Sequence, residues 1–189
     1  IVNQFAMPQC LENSQFLMDG WGGALGFSEQ LALLRTKLLG EFDVIDPAVA
    51  EAIIQLYLRY GFGAEARLML HEIGSGLGNA ALYTDMADLL EGEPERMVGP
   101  VLKGAGCGGA HELWYSASGR GDYQVLEPLS ITDIFSQYPI EVRTLIGPPL
   151  AHAFIARHQV EAGHVVLEIV RRADGEITAA QRMAEASVL

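Results

Sequence analysis

Basic side chains are scarce in this chain. Of 189 residues, 12 are Lys or Arg against 24 Asp or Glu, a formal net charge of −12, and only Lys37 and Lys103 are lysines. A nucleic-acid groove needs Lys and Arg to neutralise phosphate, so the balance argues against a nucleic-acid partner. The same shortage disfavours an anionic membrane surface. Long apolar runs are also lacking: none reaches the ~18 residues a spanning helix needs, so no membrane insertion is expected. The first residues, IVNQFAMPQC, have no initiator Met and no basic stretch leading into an apolar one, so no targeting signal is visible.

Motifs for common chemistries are missing as well. There is no G-x-x-x-x-G-K-[ST] phosphate cradle, no H-E-x-x-H and no G-x-S-x-G elbow. Gly104, Gly106 and Gly109 satisfy G-x-G-x-x-G, but a helical segment precedes them, whereas a dinucleotide turn follows a buried strand. Five histidines, His71, His111, His152, His158 and His164, are expected at the surface or at helix caps. Cys107 and His111 make a Cys-x-x-x-His without the second pair that a structural zinc site requires. His71-Glu72 and His111-Glu112 are neighbours on a helix and do not face one another, so neither is an acid–base dyad. Arg120-Gly121-Asp122 spells an adhesion tripeptide that loop composition alone explains. Trp114 and Tyr115 either line a groove or plug the core. No catalytic, cofactor-binding or metal-ligating residue is assigned, and no cofactor is expected.

What is present is a core. Half of the residues are hydrophobic, enough for one substantial domain. The clearest stretch is DPAVAEAIIQLYLRYGFGAEARLMLHEI, Asp46 to Ile73. Asp46 can cap a helix with Pro47 in its first position. Ile53, Leu56, Tyr57 and Tyr60 form one apolar stripe, and Gly61 and Gly63 end the rod. Ala66, Met69, Leu70 and Ile73 form a second stripe, so two helices fold back as a hairpin. Tyr57, Gly61, Glu65-Ala66 and Leu70, in that order, resemble the tetratricopeptide repeat. That resemblance implies an all-α solenoid of helical hairpins and a binding scaffold, and names no ligand. Leu150, Ala153 and Phe154 lie on the first helix of a later pair, and Ala162, Val165, Val166 and Ile169 reproduce the offsets of Ala66, Met69, Leu70 and Ile73 96 positions later, close to but not a multiple of the family's roughly 34-residue period. A compact helical bundle is the alternative.

The periodicity predicts helices over 28–39, 47–60, 64–73, 80–91, 95–104, 131–138, 140–146, 149–158, 161–172 and 179–188. The piece 110–117 could be another short helix, and 123–126 an extended one. Residues 1–27 are read as an irregular wrapping segment and 28–189 as the helical-repeat domain, cut short at its C-terminal end. There, Thr178 and Gln181 fit a capping box for a helix that has just begun. Both ends read as those of an excised or processed piece of a longer protein.

Cys10 and Cys107 allow one intramolecular pairing. They are either two buried thiols, which favours the cytoplasm, or one disulfide that anchors the N-terminal segment and favours an extracytoplasmic, periplasmic home. We take the disulfide as the working expectation. The functional reading is a non-catalytic protein-binding or assembly scaffold within a larger protein, with a protein or peptide as partner. The alternatives are an accessory or regulatory helical domain of an enzyme whose catalytic part lies elsewhere, or a catalytic helical domain.

Overall fold

A computed structural model describes residues 10–40, 44–73, 76–121 and 124–172. Within them the chain is all-helical: α1 (Phe27–Lys37), α2 (Pro47–Arg59), α3 (Gly63–Ile73), α4 (Ala80–Leu90), α5 (Gly109–Ala117), α6 (Pro128–Ser136), α7 (Ile140–Ala156) and α8 (160–172). Among the described residues the only β pairing is an isolated bridge, Leu39 with Ile45. The helix predicted over 179–188 lies outside these residues, and so does the proposed capping box.

The central hairpin forms as its sequence implies. The Asp46 carboxylate accepts the backbone N–H groups of Ala48 and Val49 at 2.9 and 3.3 Å, filling two of the donors a helix start leaves open. Gly61, at φ +77°, ends α2. Its N–H bonds the Leu58 carbonyl at 3.1 Å, and the Phe62 N–H bonds that of Tyr57 at 2.9 Å, the paired bonds of a Schellman turn. Tyr57, Ala66 and Leu70 are all buried, as are Phe154, Ala162 and Val166 in the α7–α8 pair. That second turn has the same bonding, His158 to Ile155 at 3.0 Å and Gln159 to Phe154 at 2.9 Å, with His158 in the glycine position at φ +62°.

The two hairpins do not superimpose residue for residue. Their turn residues Gly61 and His158 are 97 positions apart, whereas the buried pairs Ala66 and Ala162, or Leu70 and Val166, are 96 apart. One residue of offset turns the buried stripe about 100° around the helix axis. Consecutive helices pack side by side, α1 on α2, α2 on α3 and α3 on α4. In addition α7 reaches back to α2 and α4 as well as α5 and α6.

Two stretches need correction. Residues 140–156 form one helix, with Pro148 and Pro149 inside it. The Gly147-Pro148-Pro149 run locally favours a break between the helices expected over 140–146 and 149–158. The helix instead continues through both missing N–H donors, because Val142, Ile146, Leu150 and Phe154 form one buried stripe on either side of them. Gly147 serves close packing: a Cβ there would run into Val170 of α8 and Phe135 of α6.

The helix expected over 95–104 is two 3₁₀ turns, Pro94–Arg96 and Pro100–Lys103. Pro100 forces Gly99 out of the helical region. The Asp85 carboxylate takes the donors of Val98, Gly99 and Val101 at 3.2, 2.9 and 2.9 Å. The short helix offered for 110–117 forms as α5, and every residue of that helix except Gly109 is buried. Helix α6 also starts three residues earlier than expected, with Pro128 in its first turn. Gln124 and Val125 are not in a strand.

His158 supplies the sharpest test of this geometry. A left-handed conformation costs a residue with a Cβ roughly 1–2 kcal/mol, of which glycine's greater unfolded freedom takes back about half. His158→Gly is therefore expected to raise stability by about 0.5–1 kcal/mol, read as a higher urea midpoint with unchanged slope. A lower midpoint would contradict the turn.

Candidate functional site

Chemistry-bearing side chains gather where the N-terminal segment crosses the start of α5. Cys10 and Cys107 stand at disulfide distance, their Cα atoms 5.4 Å apart, and no free cysteine is left. Cys107 sits in a loop whose Gly106, Gly108 and Gly109 take φ of +74°, +69° and +62°. A Cβ on Gly109 would strike the Asn13 side chain. That close approach lets Asn13 Oδ1 accept the Ala110 N–H at 2.7 Å, capping α5 from another segment.

His111 is the correction that matters most here. It was expected at the surface and is fully buried. Its Nδ1 accepts the Leu11 N–H at 3.0 Å, so the ring is neutral and its proton is on Nε2, which donates to the Pro100 carbonyl at 3.0 Å. Phe16 stacks on the ring with centroids 5.0 Å apart. Burial holds the imidazole below its usual pKa, against the opposing pull of its bonds to the Pro100 and Val101 backbone. The sequence carried one signal of this: within AHELWYSA, Trp114 and Tyr115 stand three and four positions after His111, large side chains on its own face of the helix.

The remaining buried polar groups also serve the frame. Trp114 Nε1 donates to Tyr138 Oη at 2.9 Å, and Tyr138 donates to the Phe16 carbonyl at 3.1 Å, so one relay joins α5, the end of α6 and the N-terminal segment. Trp114 and Tyr115 are thus core residues and line no groove. Burial raises the Tyr138 pKa. Tyr83, which donates to Glu51 at 2.7 Å, is pushed up to about 12 by burial. Burial also pushes Asp85 up, in spite of the three N–H groups it accepts. Glu112 accepts the Gly108 N–H at 2.9 Å. Among the described residues no group of three His, Cys, Asp or Glu could hold a metal ion.

His71, His152, His158 and His164 are exposed and scattered. The Arg120 guanidinium is held by the carbonyls of Pro94 and Glu95 at 3.2 and 3.4 Å, so the Arg-Gly-Asp arginine does not project freely. The Gly104–Gly109 loop follows a 3₁₀ turn and carries the disulfide. No family model, curated protein or solved structure matches the chain. Among the described residues no helix is long and apolar enough to cross a membrane.

Open surface is concentrated in grooves between helices. One of about 590 Å³ lies between α3 and α4. Another of about 510 Å³ lies between the start of α6 and the α7–α8 turn, and a third of about 300 Å³ between the Gly20–Gly23 loop and helices α1 and α2. The second of these is lined by Glu127, Ser130, His158 and Glu161 among others, and no hydrogen bond joins those four side chains.

Two measurements check the clamp. Thiol titration of the unfolded, non-reduced protein is expected to find none, and two thiols per chain would refute the bridge. Reduction should cost about 4–5 kcal/mol on the chain-entropy model for the 97-residue separation.

The second measurement is the pH dependence of stability. His111 titrates lower in the folded chain than in the unfolded one, so its contribution is present in full above about pH 6.5. It is lost as pH falls from there through the folded value, because the unfolded state takes the proton more readily. Wild type is therefore expected to lose stability between neutral pH and pH ~5, and His111→Phe to lose less over the same span. Parallel profiles would remove His111 as the cause.

Proposed function

We propose that this chain is a short α-solenoid of helical hairpins resembling tetratricopeptide repeats, and that it works as a non-catalytic protein-binding or assembly scaffold within a larger extracytoplasmic protein. The observation that carries the reading is the repeated hairpin: two pairs, α2–α3 and α7–α8, close through turns of the same bonding pattern and bury small residues at their crossings. Stacked hairpins leave grooves between their helices for a partner segment. His111, Trp114, Tyr138, Tyr83 and Asp85 are bound to backbone or to other side chains and so serve the frame, while Ser116 Oγ and Gln159 Oε1 are buried without a hydrogen-bond partner among the described residues. The contacts of α7 with α2 and α4 join helices that are not neighbours in the chain, which a solenoid does not need and which the compact helical bundle has. A Cys10–Cys107 bridge supports the extracytoplasmic placement, since an oxidising compartment preserves such bonds.

Photo-crosslinking in the native host, in the full-length protein, tests the reading. Benzoylphenylalanine at exposed Leu68, Leu126 or Val160 is expected to yield discrete protein adducts, at one position more than the others. Absence of any protein adduct at all three positions would overturn the scaffold. Alkylation trapping of the thiols in the same cells should find them oxidised.

A further inference from the structure

Helix α3 carries an exposed stripe of mixed chemistry. Leu68 is 62 % exposed, with Glu65 three residues before it and Glu72 four residues after, both exposed. Those spacings put the leucine and both carboxylates on one face. Beside that face runs the α3–α4 groove of about 590 Å³, with buried Leu70 at its base, Leu68 and His71 on one wall, and Ala80, Ala81 and Thr84 on the other. The α4 wall is low because its side chains are short.

Charge around the groove is one-sided. The cation that lines it, Arg67, is already paired with Asp88 at 3.0 Å and Glu93 at 2.6 Å. Nearby Arg96 is paired with the same Glu93 at 2.9 Å. Among the described residues no base is bonded to Glu65 or Glu72. A ligand entering here meets apolar walls under a negative rim.

The geometry points to the α3–α4 groove as the docking site of a basic amphipathic segment of a partner protein. Its apolar side chains lie between Leu68 and Ala81, and its Lys or Arg side chains stand over Glu65 and Glu72. This rests on the scaffold reading and names the class of partner. Electrostatic attraction speeds and orients the encounter, while apolar burial in the groove sets how long the complex lasts. A second copy of the chain fits poorly, because a two-fold contact through this face would set the same carboxylates against each other.

The test is fluorescence anisotropy on the disulfide-bonded chain, using a labelled amphipathic peptide of leucine and lysine and its leucine–glutamate counterpart in physiological salt. The lysine peptide is expected to bind and the glutamate peptide not to. Ala81→Phe, which fills the groove from an exposed position, should weaken binding about tenfold or more, a change of about 1.4 kcal/mol in binding free energy. The double change Glu65→Lys with Glu72→Lys should do the same by reversing the rim, which keeps the test decisive if the phenylalanine disturbs folding. Leu126→Asp, outside the groove, should leave affinity unchanged.

Equal affinity of wild type, Ala81→Phe and the charge-reversed chain would mean diffuse attraction to an acidic protein and would overturn the groove. Weakening by Leu126→Asp alone would overturn the groove while leaving the scaffold reading standing. Absence of binding to wild type would overturn the basic-partner inference, with the crosslinking result deciding the scaffold reading separately.

Discussion

Helix α5 is buried along 110–117, and most of what is polar on it is answered by protein, the Ser116 hydroxyl excepted. A short helix buried on every side exposes neither its first N–H groups nor its side chains to water, and each unpaired group would cost about 1–3 kcal/mol. The N-terminal segment supplies the answers: Asn13 caps the helix start, Leu11 bonds His111, and the Phe16 carbonyl ends the relay from Trp114 through Tyr138. The Cys10–Cys107 bridge holds the same segment at its outer end. A stretch without helical or strand register of its own is thereby fixed, with Phe16, Met18 and Trp21 in the common core.

The scarcity of basic side chains has a structural counterpart. The guanidiniums of Arg59, Arg120 and Arg157 bond backbone carbonyls of distant segments, Arg35 bonds the Tyr57 hydroxyl, and Arg67 and Arg96 are tied into the Asp88–Glu93 cluster. Arginine suits this work because its planar fork makes several bonds at once. With so many cations already bonded, the unpaired surface charge is dominated by carboxylates, as the net charge of −12 implies.

Where the sequence reading succeeded and failed follows from the range of the forces involved. The central hairpin was legible because its signals are local: a cap at Asp46, a glycine at the turn and two stripes at helical spacing. The prolines of α7 misled for the same reason. Locally they read as a stop, and only the burial of Val142, Ile146, Leu150 and Phe154 around them shows why the helix runs on. Helix α5 was the hardest to see. Its His111, Glu112 and Ser116 read locally as a wet side, and only the packing of the N-terminal segment over the helix shows that it has none.

Composition and local pattern, by themselves, determined that the chain is helical, that it has a real core, that its first hairpin closes at Gly61, and that its charge disfavours phosphate-rich partners. Those are properties of neighbouring residues and of totals, and they need no knowledge of the rest of the fold. Tertiary structure alone decided that His111 is a neutral buried clamp, that the Asp85 carboxylate takes up the donors freed where Pro100 breaks the expected helix, and that α7 packs against α2 and α4. Each of these joins residues far apart in the chain, 100 positions for the Leu11–His111 bond. Such partners are chosen by which surfaces meet when the helices pack, and no short-range spacing in the sequence encodes that choice.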